Sequence, residues 1–164
     1  MSTSTHDTLW DLIKDIKFGM FIHRHPSGIL HAHPLTTQNK KLDEGHTLYF
    51  FISQSSELFT NVKADGNVNV SYADPGKDSY VSVAGQAQIS NDKAKIAELF
   101  TPMAKAWFKG GVDDPDLALL TVTIQHAEYW DMKESQMVQL FKMAKAAITG
   151  DGPNLKADHK EVQL

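Results

Sequence analysis

His23, His25, His31, His33 and His46 crowd one short stretch of the chain. Imidazole titrates near neutrality, moves protons and ligates metals. In a strand, His31 and His33 alternate with Ala32 and Pro34, so both rings share one face with Ile29 and Leu35. His23 and His25 share a face in the same way. Two histidines at i, i+2 is a spacing that metal-binding barrels use, with a Glu a few residues later. Here those positions are Thr36, Thr37 and Gln38. No other carboxylate is placed by the sequence to complete the set, and no HExxH motif exists. The favoured reading is histidines at the surface or interface of an edge hairpin, and no metal ligand is assigned. Pro34 itself confines its strand to an edge, a bulge or a strand end.

The rest of the polar chemistry is sparse. No GxSxG elbow, phosphate loop or dinucleotide glycine pattern occurs. Asp113-Asp114 precede Pro115 and read as a solvated loop. Ser53-Gln54-Ser55-Ser56 ends a strand and leads into a helix. Its hydroxyls and free N–H groups suit an anion, and they equally suit N-capping by Ser55 or Ser56. Trp107, Phe108 and Trp130 could wall a pocket for a flat ring. Trp107 also continues a helical apolar face, so packing alone would explain it.

The 164 residues, 41% apolar and 22% charged, suit one folded domain, placed at 1–150, with a loose polar tail over 151–164. A net charge of -4 argues against a nucleic-acid partner. Without cysteine, thiol catalysis and thiolate metal sites are excluded, and a reducing cytoplasm fits. The first residues carry no basic and apolar secretory pattern. No apolar run reaches the ~20 residues of a membrane span.

Periodicity supplies the scaffold. Ser4 or Thr5 caps a helix with Leu9, Leu12, Ile13 and Ile16 on one face, ended by Gly19. Phe18–His25 and the His31 stretch form a hairpin through Pro26-Ser27-Gly28. Thr47–Ile52 is apolar on both faces, hence central or barrel-like. A short helix with Leu58, Phe59 and Val62 follows. Asn67–Tyr72 and Ser79–Ser90 alternate as strands, with Gly85 at a bulge or barrel corner. Ile96, Leu99, Phe100, Met103 and Trp107 align on one helix from Asp92 to Gly110. Leu117–Gln125 is a strand, extended by Glu128–Met132 after a kink. A final helix over 135–148 turns Met137, Leu140, Phe141, Ala144 and Ile148 inward. The sum is α+β, an antiparallel barrel of about six strands with flanking helices.

Four segments carry a resemblance: HAHPLTTQ (31–38), LYFFISQSSEL (48–58), YVSVAGQAQIS (80–90) and AWFKGGVDDPDLALLTVTIQHAEYWD (106–131). Together they resemble bacterial general stress proteins of the pyridoxamine 5'-phosphate oxidase-like flavin-binding split-barrel superfamily, over residues 6–148. The resemblance implies a six-stranded antiparallel split β-barrel and a homodimer with FMN, or FAD, at its interface. By that match His33 stands where an Arg holds the phosphate. Pro34, Leu35 and Thr36 pass beside the isoalloxazine, and Phe51, Ile52 and Ser53 give main-chain contacts. Gln54, Ser56 and Glu57 fall at phosphate positions that carry Lys or Ser. Trp107 and Trp130 are ring-side walls, with a contribution from the partner subunit.

Two departures stand out. His33 replaces the strand Arg, and Gln54 and Glu57 replace the loop cation. Each lost charge-assisted contact is worth about 1.5–3 kcal/mol, so flavin binding is expected to be weak, pH-dependent through His33, or shifted toward another ligand. The expected function is a flavin-dependent oxidoreductase of unknown substrate, with no catalytic residue assigned. The alternatives are a non-catalytic flavin or small-ligand binder, or a His-based metal or haem protein on the same barrel.

Overall fold

The computed structural model describes residues 4–132, 136–152 and 157–164. Helix α1 (Thr5–Ile16) is capped by Ser4, whose hydroxyl accepts from the Asp7 N–H, and it buries Leu9 and Ile13. Next come β1 (Phe18–Arg24), β2 (Leu30–Thr36), β3 (Thr47–Ser53) and α2 (Glu57–Ala64). They are followed by β4 (Asn67–Asp74), β5 (Ser79–Ser90), α3 (Lys93–Leu99) and α4 (Pro102–Trp107). A 3-10 turn at Gly111–Asp113 leads to β6 (Leu117–Met132), then α5 (Gln136–Thr149) and β7 (Ala157–Val162).

The strands form one antiparallel sheet in the order β2-β1-β4-β5-β6-β3, with β7 added alongside β6. The sheet curls until its two ends approach. Beyond β2, the Gln38 N–H donates to the Tyr49 carbonyl at 2.8 Å. Asn39 accepts from the Tyr49 N–H and donates to the Thr47 carbonyl. Closure stops there. From His33 to Thr36 on β2 and from Phe51 to Ser53 on β3 a cleft opens between the strands. The six-stranded split barrel with flanking helices is therefore the architecture. No described helix is long and apolar enough to cross a membrane.

The barrel interior takes alternate residues from each strand, as the pleat requires. Phe21, Leu48, Phe50, Val70, Val83, Leu120 and Val122 are fully buried. A second cluster of Ile96, Leu99, Phe108, Leu117 and Leu119 covers the outer face of β3. That explains why β3 is apolar on both faces although it ends the sheet rather than lying centrally.

Other expectations need correction. α1 stops at Ile16 and Lys17 takes a positive φ of 67°. Gly19 instead lies inside β1, where a Cβ would sit 2.7 Å from Val70. The single helix expected over Asp92–Gly110 is two helices. Pro102 cannot continue α3, Thr101 before it is extended, and its hydroxyl caps α4. The break turns Trp107 outward, 84% exposed, so core packing does not account for it. β6 continues to Met132 with a bulge at Gln125, next to the expected kink, and the tail expected to be loose carries β7. α5 forms, but Met137, Leu140, Phe141 and Ile148 are exposed rather than inward.

Gly85 does mark a bulge: Ala84 pairs with His126 and Gly85 with Ile124, leaving Gln125 extra. A Cβ there would lie 2.3 Å from the Thr123 carbonyl oxygen. Gly85→Val is expected to cost about 1–3 kcal/mol by forcing the β5–β6 ladder apart. Thermal unfolding should show the loss as a lower Tm, and an unchanged Tm would contradict the tight approach.

Candidate functional site

The cleft has a volume of about 450 Å³, within the ordinary range for small-molecule sites. One side is β2, with Pro34, Leu35 and Thr36. Pro34 offers no N–H to a further strand, which suits an edge that never pairs here. The other side is β3, with Phe51, Ile52 and Ser53. Leu58 of α2, Ala104 and Phe108 complete the apolar lining, and the exposed Trp107 indole stands at the rim. His33, Ser56 and Asp116 supply the polar end.

Nine of the twelve residues that the resemblance assigns to the site thus meet at one cleft: His33, Pro34, Leu35, Thr36, Phe51, Ile52, Ser53, Ser56 and Trp107. Three do not: Gln54, Trp130 and Glu57, which faces the histidines. Gln54 turns its amide to the Leu117 carbonyl at 3.1 Å. Trp130 lies far along β6 and stacks on His159 of β7, with ring centroids 4.7 Å apart.

The serine loop is already engaged. Ser56 caps α2 by accepting from the Phe59 N–H. Ser53 donates to the Asp116 carboxylate, which also accepts from the Ser55 N–H at 3.0 Å. The Ser53 hydroxyl foremost, with the Ser55 contacts, holds the Asp116 carboxyl below the usual carboxylate range. Asp116 escaped the sequence reading because the residues it anchors lie 61 and 63 positions away.

The histidines form a second polar group beside this end. His31 Nδ1 lies 2.8 Å from a Glu57 oxygen, with His33 Nε2 at 3.8 Å and His25 Nε2 at 4.0 Å. The sequence alone places no carboxylate with the histidines; the fold supplies Glu57, delivered by the first turn of α2. His23 is fully buried behind them, its Nε2 3.2 Å from His33 Nδ1 and its Nδ1 3.1 Å from the Asn61 amide nitrogen. Burial first, then the neighbouring His33, holds His23 below its ordinary value. Among the described residues no group of three or more such side chains is arranged to hold a metal ion.

A curled antiparallel barrel, split along one seam and lined there by apolar residues, defines a small-ligand-binding fold. The chain belongs to the pyridoxamine 5'-phosphate oxidase-like family, whose model matches residues 4–154. It is 26% identical over 114 residues to Protein bli-3 of Neurospora crassa, covering 65% of this chain and 54% of that one. The chain thus matches about half the length of this curated relative. A candidate general stress protein 26 from Jannaschia sp. CCS1 superposes with a TM-score of 0.74 at 25% identity, over 95% of this chain and 96% of the other. The general stress FMN/FAD binding protein of Xanthomonas citri gives 0.69 at 29% identity, over 79% and 90%.

Proposed function

We propose that the protein is a flavin-binding general stress protein, a flavin-dependent oxidoreductase acting as a cytoplasmic homodimer. The observation that carries the reading is the cleft between the unpaired edges of β2 and β3, apolar on both sides with an indole at its rim. Such a slot fits a flat, three-ring heterocycle. The Xanthomonas citri relative, described as an FMN/FAD binding protein, supports the same ligand.

A bound flavin supplies the redox chemistry. This chain's residues bind and orient it. Pro34 and Leu35 on one side and Phe51 and Ile52 on the other exclude water from the ring. His33 is the group positioned for the phosphate of FMN, and Ser56 joins it only by releasing the hydrogen bond its hydroxyl donates to the Ser53 carbonyl at 2.7 Å. No lysine or arginine lines the cleft among the described residues, so the phosphate meets imidazole and hydroxyl rather than fixed cations. Trp130 can reach a cleft only in a partner subunit. The exposed apolar face of α5 and the exposed Met103 and Trp107 are the surfaces that favour such a partner.

The test is titration of the purified protein with FMN and with riboflavin, followed by flavin absorbance and fluorescence. Both should bind. Trp107→Ala should weaken both by about 0.5–1.5 kcal/mol, up to about tenfold. His33→Arg should tighten FMN and leave riboflavin unchanged. No binding of either flavin would sink the reading. A second reading, a binder without catalysis, is favoured by one fact: Asp116, the acid in the cleft, is tied to Ser53 and Ser55. Reduction of bound flavin by NADH or NADPH separates the enzyme from the binder.

A further inference from the structure

The Glu57 cluster follows a strict donor logic. The Ser27 N–H donates to His25 Nδ1 at 3.0 Å, so in the neutral ring the proton sits on Nε2, which faces Glu57. His31 Nδ1, 2.8 Å from the carboxylate, must carry its proton there. The Asn61 amide donates to His23 Nδ1, His23 Nε2–H donates to His33 Nδ1, and His33 Nε2–H points at Glu57. Neutral imidazoles from both arms of one hairpin therefore turn N–H groups toward a single carboxylate, His31 within hydrogen-bond distance and His33 and His25 at 3.8 and 4.0 Å. Glu57 also sits in the first turn of α2, where the helix favours a negative charge.

We propose that this cluster is a proton-controlled latch on the cleft, admitting an oxyanion group when its outer histidines are protonated. With the rings neutral, the charge facing this end is negative, from Glu57 beside the histidines and from the Asp116 carboxylate of the cleft, and it repels a phosphate or sulfate group at the His33 end. Protonation of His25, His31 and His33 adds three positive charges that one carboxylate cannot balance; His25 Nδ1–H then turns to the Ser27 hydroxyl at 2.8 Å, and His33 Nδ1–H donates to His23 Nε2 once the His23 proton moves to Nδ1 and the Asn61 amide presents its oxygen there. The surplus attracts a dianion onto the same N–H donors. The other charged groups nearby are already committed. Arg24 pairs with Asp65 at 3.5 Å, Lys63 lies over the Phe59 ring, and Asp116 is held by the serines. His23, fully buried, stays neutral and passes hydrogen bonds rather than charge.

The latch is a regulation of the same cleft and rests on its reading as the ligand site, but sulfate tests it without any flavin. Sulfate stays dianionic across the range in which imidazole titrates, so any pH dependence belongs to the protein. Histidine ring signals in NMR spectra of the full chain would be followed during sulfate addition at about pH 5.5 and about pH 8. Sulfate should shift the His25, His31 and His33 signals at the lower pH and bind at least about tenfold more weakly at the higher one. Glu57→Gln, a change at a half-exposed position, should strengthen binding at the higher pH by removing the repulsion, and so narrow the difference between the two pH values. Equal sulfate affinity at both values, no shift of these signals at the lower one, or a Glu57→Gln variant identical to the parent would each overturn the latch. A parallel titration with FMN and riboflavin identifies the source of the oxyanion. A latch that serves a flavin phosphate raises FMN affinity relative to riboflavin at the lower pH, and one that serves free oxyanions leaves that ratio unchanged. Failure of both flavins would count against the flavin reading alone, with the sulfate result still deciding the latch.

Discussion

Phe50→Ala is expected to destabilise the protein by about 3–5 kcal/mol, the cost of a large buried aromatic plus the cavity it leaves. The reason it falls at the top of that scale is topological. Phe50 is fully buried on β3, and its ring meets Phe21 of β1 edge-on at 5.6 Å. β3 ends the hydrogen-bonded order of the barrel, whereas β1 lies one strand in from the other end. The two rings therefore join across the interior what the seam leaves unjoined by backbone hydrogen bonds. The neighbouring side chains on β3, Phe51 and Ile52, line the cleft. The cavity should thus loosen the seam as well as the core. Urea denaturation should show a midpoint lower by about 2 M. Flavin affinity should fall in the same variant under conditions where it is still folded. A loss below about 1 kcal/mol would mean that the strands collapse around the gap and that the Phe21 contact does not hold the barrel closed.

The same seam shows what a sequence can and cannot carry. Strand alternation, the Pro34 edge, the Ser4 and Ser56 caps and the Gly85 bulge are local signals, and the fold honours each of them. The residues lining the seam are legible through motif resemblance: nine of those it singles out lie on one cleft. What stayed hidden depends on long-range register. Nothing near Ser53 indicates that Asp116 will lie against it, and nothing near His31 indicates that Glu57 will arrive from the next helix. Both are carboxylates whose partners are distant in sequence, a feature no spacing rule detects. The errors in the helices have another cause. An apolar stripe predicts burial within the chain, yet the stripe on α5 faces solvent and the break at Pro102 rotates Trp107 to the cleft rim. Periodicity identifies a face that must be covered or used, and it does not say by what.

His23 gives the sharpest test of how the buried network is built. Its ring is fully buried, and burial first, then the charge of His33, holds it below the ordinary value of 6.5, with Glu57 acting in the opposite direction. The folded state therefore prefers the neutral ring, while the unfolded chain takes up a proton at the ordinary value. Between those two values the unfolded state binds more protons, so the stability that His23 contributes falls as the pH drops. It is present in full above pH 6.5 and is lost as the pH falls through the lowered value. His23→Leu keeps much of the volume but strips the partners from the Asn61 amide and from His33 Nδ1. Each orphaned group should cost about 1–3 kcal/mol. The deficit relative to the parent should be greatest at about pH 8 and should narrow toward about pH 5, because the parent loses there what the variant never had. Paired urea titrations at the two pH values measure it directly. A deficit that stays constant or widens on acidification would show that the ring is not held neutral by its burial, and the hydrogen-bond chain from Asn61 to Glu57 would have to run in the opposite sense.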